Sequence, residues 1–132
     1  MAEWVTDALL GAGYETSTID LGDDPDGQGP IEATLVRSTR APSERRGALL
    51  YVHGFSDYFF NHEMAEFWID RGYAFYALDL RKCGRSRRPG QTAHYVSNLA
   101  FYDAELDSAL ATVRAETDDA PVVLSAHSTG GL

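Results

Sequence analysis

The chain has 132 residues, 44% of them hydrophobic and 23% charged, a balance that belongs to a soluble folded domain and not to a disordered chain. Eleven Lys and Arg stand against 20 Asp and Glu, and the resulting charge of −9 repels phosphate backbones and excludes general nucleic-acid binding. The single cysteine, Cys83, leaves no internal disulfide or cysteine-rich zinc site; no run reaches the ~18 apolar residues of a membrane span, and MAEWVTDALLGAG is no secretory signal, so the expectation is a soluble, cytoplasmic protein without an integral membrane segment.

In chain order, Trp4, Val5, Ala8 and Leu9 fall at helical spacing and predict a short helix over 3–11, ending near Gly11 or Gly13. YETSTIDL (14–21) is rich in β-formers and predicts a strand, GDDPDGQGP (22–30) a turn, and IEATLVR (31–37) a second strand that pairs with the first as a hairpin. After a polar connection, ALLYVH (48–53) is a continuous apolar run, the pattern of a strand covered on both faces. A helix from about Asn61 to Arg71 places Met64, Phe67 and Trp68 on one face, with Gly72 as its terminator. YAFYALDL (73–80) is another buried strand, with Tyr73, Phe75 and Tyr76 as strand packing, and RKCGRSRRPGQT (81–92) a loop. The strongest helical pattern covers 98–116, where Leu99, Tyr102, Leu106, Leu110 and Val113 form the core face. Pro121 then breaks the chain before a third buried strand, VVLSA (122–126). Buried strands alternating with helices predict an α/β fold with a mostly parallel sheet and right-handed crossovers, extended at one edge by the N-terminal antiparallel hairpin.

VVLSA runs directly into His127-Ser128-Thr129-Gly130-Gly131. A serine at the tip of a strand–turn–helix forces a strained backbone, and the residues two before and two after it must be small because strand and helix pack closely there. Ala126 and Gly130 satisfy that demand. A helix starting at Thr129 would also aim backbone N–H groups at the serine and favour a developing oxyanion.

With these residues the sequence resembles the α/β-hydrolase superfamily. The elbow motif G-x-S-x-G is present as Ala126-His127-Ser128-Thr129-Gly130, with alanine at its first position. His53-Gly54-Phe55, after the first buried strand, resembles the family's His-Gly oxyanion turn. Asp79-Leu80-Arg81-Lys82-Cys83-Gly84-Arg85-Ser86, after the next strand, resembles its D-x-R-G-x-G-x-S loop, with Lys82 where glycine is usual. Among branches it is most similar to the monoacylglycerol lipase, lysophospholipase and serine-aminopeptidase-like group. The resemblance implies Ser128 as nucleophile, the backbone N–H groups of Phe55 and Thr129 as oxyanion donors, and His53, Gly54, His127 and Gly130 as supporting residues. It implies a small-molecule or lipid ester as substrate and an acyl-enzyme on Ser128, with no metal and no organic cofactor. A non-catalytic binding module that kept the elbow, and an amide or peptide hydrolase on the same site, are the alternatives.

The family's order is Ser, then Asp or Glu, then His, and only four residues follow Ser128, none of them acidic or histidine. The expectation is therefore that residues 1–132 are the N-terminal part of one α/β-hydrolase domain, truncated after the nucleophile elbow so that VVLSA is left as an exposed apolar edge, and that the remainder of the domain, in the same or a second chain, supplies the triad acid and histidine. Of the internal histidines, His127 is expected to point away from Ser128, His53 to orient the oxyanion turn, and His62 and His94 to be surface or cap residues. Asp79 is expected to hold the following loop with Arg81 as partner. Arg81, Lys82, Arg85, Arg87 and Arg88 read as a solvated basic loop, and Cys83 as a small loop residue. Asp57, Tyr58 and Phe59 are expected at the mouth of a pocket.

Overall fold

The apolar runs at 48–53 and 73–80 become two adjacent parallel strands inside a six-stranded sheet in the computed structural model, which describes residues 2–131. The strands are β1 (Val5–Asp7), β2 (Gly11–Asp23), β3 (Pro30–Ser38), β4 (Gly47–Val52), β5 (Tyr73–Asp79) and β6 (Val122–Ala126), and the helices α1 (His62–Asp70) and α2 (Asp103–Glu116). Their order across the sheet is β1-β2-β3-β5-β4-β6. The first three strands and β5 pair antiparallel, whereas β4 pairs parallel with β5 on one side and β6 on the other. The mostly parallel half with an antiparallel hairpin at its edge is the arrangement the periodicity predicts.

The helices fall on opposite faces for a topological reason. The chain moves from β4 to β5 in one direction, then returns past β4 to β6, and a right-handed crossover in opposite directions covers opposite faces. The side chains of β4 alternate accordingly. Ala48, Leu50 and Val52 pack with Ala109 and Val113 of α2, while Leu49 and Tyr51 pack with Ala65 and Ile69 of α1. Truncating one of these buried leucines to alanine would cost about 2–5 kcal/mol. Asn61 starts α1 by accepting the Met64 N–H at 3.1 Å.

Two expectations change. The helix over 3–11 is a short strand and a turn: Val5 pairs with Thr16, and the Asp7 carboxylate accepts the N–H groups of Leu9 and Leu10 at 3.3 and 3.0 Å. A carboxylate that satisfies the next backbone donors offers the chain an alternative to a helix too short to nucleate by itself. The helix over 98–116 begins as a 3-10 turn at Leu99–Tyr102, and only from Asp103 is it α-helical. The three-residue period of that turn rotates Leu99 out of the apolar stripe, so it is exposed, while Glu105, Ala109 and Val113 are buried with Leu106 and Leu110 at the margins. Strand β6, an apolar run of the buried type, has β4 as its one neighbour among the described residues and leaves Leu124 60% exposed, the apolar edge expected of it in this chain. Among the described residues, no helix is long and apolar enough to cross a membrane.

Candidate active site

The reversal of direction at β4 marks a place in the sheet. In open α/β sheets ligands bind outside the carboxyl ends of the strands where the strand order reverses. The carboxyl ends of β4 and β6 lead into His53-Gly54-Phe55 and His127-Ser128-Thr129-Gly130, and that of β5 into Leu80. The topology thus brings together the segments that the sequence singled out separately.

After β6 the backbone turns at Ser128, whose φ is 55°, in the left-handed region. A non-glycine residue there stores about 1–3 kcal/mol of strain, which the surrounding structure must hold in place. The hold is visible: the His127 N–H donates to Val52 O at 3.1 Å and the Gly130 N–H to His127 O at 3.0 Å. A 3-10 turn, not an α-helix, follows at Ser128–Gly131. Two glycines let the segments approach. A Cβ on Gly130 would fall against the backbone oxygen of His53 and lie 2.7 Å from Val52 O, and one on Gly54 would lie 3.1 Å from Ser128 Cβ. Ser128 and Thr129 are exposed.

His53 is 1% exposed, and both of its ring nitrogens are engaged by backbone. Nε2 accepts the Leu80 N–H at 3.1 Å, so Nδ1 carries the proton and donates to Gly54 O at 2.8 Å. Because C=O and N–H point in opposite directions across a planar peptide, fixing Gly54 O also fixes where the Phe55 N–H points. A ring so engaged orients the turn and cannot also accept a proton from Ser128. His127 faces a different hollow, lined by Tyr51, Asp57, Tyr58 and Asn61, which is also where Asp57 and Tyr58 lie; Phe59 is core. Among the described residues no hydrogen bond joins Ser128 to a histidine or carboxylate, and no group of three His, Cys, Asp or Glu side chains is placed to hold a metal.

Of the five basic residues expected to form a solvated loop, Arg87 and Arg88 are exposed, but Arg81 and Lys82 are buried and Arg85 nearly so. Asp79 is fully buried and accepts the N–H groups of Phe59 and Arg85 at 2.9 and 3.0 Å; its ionic partner is Arg85, not Arg81. Arg85 also grips Asp7 with two hydrogen bonds of 2.9 and 2.8 Å. Arg81 pairs with Glu105 at 2.7 Å, and Lys82 with Asp24 at 2.6 Å, all four side chains being 4% exposed or less. The lysine standing where the family has glycine therefore meets a buried acid from the turn between β2 and β3. Buried charges require such partners.

These pairs set an acid limit. Burial alone would raise the Asp7 carboxyl, but the Arg85 guanidinium and the Leu10 and Leu9 N–H groups outweigh it and hold it below its ordinary value. A carboxyl depressed in the folded state adds stability that is complete above about pH 4 and is lost as pH falls through the folded value. Asp7→Asn is expected to lower stability at pH 7 and to flatten its decline on the acid side, as read from urea midpoints between pH 7 and 3. An acid limb as steep as that of the unaltered protein would contradict this.

A cavity of about 300 Å³ opens beside the turn, lined by His53, Gly54 and Phe55 from one side and by Thr129 and Gly130 from another. Leu80, Cys83, His94, Tyr95, Val96, Leu99 and Tyr102 complete it, although Ser128 itself is not in the lining. His94 is thus a wall residue and not a surface cap. Apart from Cys83, with its small-residue reading, these wall positions escaped sequence reasoning as site residues, since the 93–102 segment carries no motif. Burial pushes the Cys83 thiol up to about 12, with Asp79 and Glu105 adding to the shift, so it is a neutral wall residue. A larger hollow of about 690 Å³ lies at the other end of β5, where Arg37 pairs with both Glu15 and Glu116.

Comparison with known proteins agrees with this fold. A family model described as serine aminopeptidase, S33, matches residues 43–132. Among solved structures, the acetyl xylan esterase from Paenibacillus sp. R4 superposes with a TM-score of 0.56 at 19% identity, over 99% of this chain and 46% of that one. Acetyl xylan esterase 1 from Thermoanaerobacterium sp. JW/SL YS485 gives 0.58 at 18% identity, over 98% and 45%. At those identities the likeness is one of fold, that of an α/β-hydrolase, and the chain spans a little under half the length of either esterase. No curated protein sequence matches the chain.

Proposed function

Because this chain belongs to the serine aminopeptidase S33 family of α/β-hydrolases, we propose that it carries the nucleophile and oxyanion half of a serine hydrolase that cleaves carboxylic esters. The observation that carries this reading is Ser128 at positive φ on the tip of β6, packed against the His53-Gly54-Phe55 turn. Ser128 Oγ attacks the substrate carbonyl, the N–H groups of Phe55 and Thr129 receive the oxyanion, and the alcohol leaves from an acyl-enzyme that water then hydrolyses. Each oxyanion donor is worth about 3–4 kcal/mol on the scale of comparable deletions. A serine hydroxyl needs a base. With His53 held by backbone on both nitrogens and His127 facing elsewhere, the triad acid and histidine come from the remainder of the hydrolase domain. Amide or peptide cleavage on the same serine is the second reading, favoured by the description of the matching family.

The test is reaction of the full-length protein with a fluorophosphonate, followed by peptide mass spectrometry. Labelling is expected at Ser128 and is expected to vanish in Ser128→Ala. A folded protein that takes up no label would leave the non-catalytic binding fold as the better account. A chain-matched panel of esters and amides then separates the two hydrolytic readings.

A further inference from the structure

We propose that the cavity beside the 53–55 turn is a size-limited subsite for a compact apolar group of the substrate, a phenyl ring or a short alkyl chain, and that Leu99 and Tyr102 set its limit. The inference rests on the serine reading above and adds to it the class of substrate. Phe55 and Thr129, whose N–H groups would hold the oxyanion, both line the cavity, so a carbonyl placed between them has this space directly beside it. The facing wall is formed by Leu80, Cys83, Val96, Leu99 and Tyr102 and carries no charged side chain. Desolvating an apolar group there is favourable, at about 25 cal/mol for each Å² buried, whereas a sugar or charged group would lose its hydration without return.

The volume decides the size of the group. At about 300 Å³ it sits at the lower end of ligand pockets, which run to roughly 1,000 Å³. A cavity of about 150 Å³ already admits benzene. The space therefore takes a ring with a few further carbons, and the rest of a long acyl chain would run out of its open side without these apolar contacts.

The walls are tied against widening. Arg81 joins two of them, since its Nη2 donates to Phe101 O at 2.7 Å and to Glu105 at 2.7 Å, bracing the 81–83 wall against the 99–102 turn. His94 is held to the first wall by its N–H on Lys82 O at 3.1 Å. Lys82 is in turn anchored to Asp24, and that turn reaches the far end of the same wall through hydrogen bonds between Gln28 and Thr92 and between Asp26 and Ser97. A wall with buried ion pairs on both sides of Cys83 keeps its shape when a ligand enters, and a rigid pocket discriminates by size.

The test reads binding apart from chemistry, in full-length protein carrying Ser128→Ala. N-benzylacetamide and N-dodecylacetamide, unreactive analogues of a compact and a long-chain ester, are titrated while amide resonances are followed. N-benzylacetamide is expected to shift the resonances of Cys83, Val96, Leu99 and Tyr102, and to bind at least about tenfold more tightly than the dodecyl compound. Leu99 is half-exposed, so its replacement spares the core. Leu99→Trp is expected to weaken the benzyl compound about tenfold, and Leu99→Ala to narrow the gap between the two. Dodecyl binding as tight as benzyl binding, or benzyl shifts elsewhere in the protein, would overturn the subsite. Fluorophosphonate labelling without benzyl binding removes the subsite alone, and benzyl binding without labelling removes the serine reading alone.

Discussion

Glu105→Leu is expected to destabilise the fold by about 3–5 kcal/mol, a large part of the roughly 5–15 kcal/mol that a domain possesses. Glu105 is fully buried in α2, and its carboxylate accepts the Arg81 backbone N–H at 2.9 Å as well as the guanidinium Nε and Nη2. Removing the acid strands a guanidinium, 4% exposed, in a low-dielectric interior and leaves a backbone donor unpaired. Glu105→Gln keeps the shape and the acceptor oxygen and is expected to cost less. The double replacement Arg81→Met with Glu105→Leu is expected to recover much of the loss, because the damage comes from one uncompensated charge and not from the net worth of the pair. Urea unfolding followed by tryptophan fluorescence measures all three. A loss under ~1 kcal/mol for Glu105→Leu would place the pair with ordinary surface ion pairs and refute the argument.

The second large effect concerns the site. Gly130→Ala is expected to reduce fluorophosphonate labelling of Ser128 about a hundredfold, the scale of a 1 Å misplacement of reacting groups, while leaving most of the sheet intact. The added Cβ would meet the carbonyl oxygens of His53 and Val52, which are backbone and cannot swing aside. Val52 O is moreover fixed by the His127 N–H that it accepts. Overpacking of this kind costs about 1–3 kcal/mol, and the strain is relieved by moving the elbow away from the oxyanion turn. Labelling rate against circular dichroism separates a displaced elbow from an unfolded sheet. Labelling at the unaltered rate would show that the contact is looser than the geometry implies.

The elements legible in the sequence were those with a local period. The alternation at 31–37, the continuous runs at 48–53 and 73–80 and the helix near 61–71 appear within a residue or two of their places. So does the turn at Ser128, since small neighbours at two residues either side leave little other use for that pattern. The 3–11 segment failed because a single carboxylate, Asp7, outcompeted a weak helical period, and its own conformation is held by Arg85 from 78 residues away. Leu99 failed because a 3-10 turn shifts the phase of an otherwise correct helical stripe.

By itself, then, the sequence determined the order of strands and helices from residue 14 onward, the serine at the tip of β6 and the histidine turn after β4. Periodicity, small-residue spacing and β-propensity act over a few residues and need no partner. Only the tertiary structure decided which charges are buried, which face of the 98–116 segment is core, and that 82–102 walls a cavity next to Phe55 and Thr129. A charged side chain carries no sign of its partner: Arg81, Lys82 and Arg85 look alike in the chain. They are assigned to Glu105, Asp24 and to Asp7 with Asp79 only by where folding places those acids. Burial is a property of the whole packed chain, and the cost of an unpaired buried charge is what makes those long-range pairings obligatory.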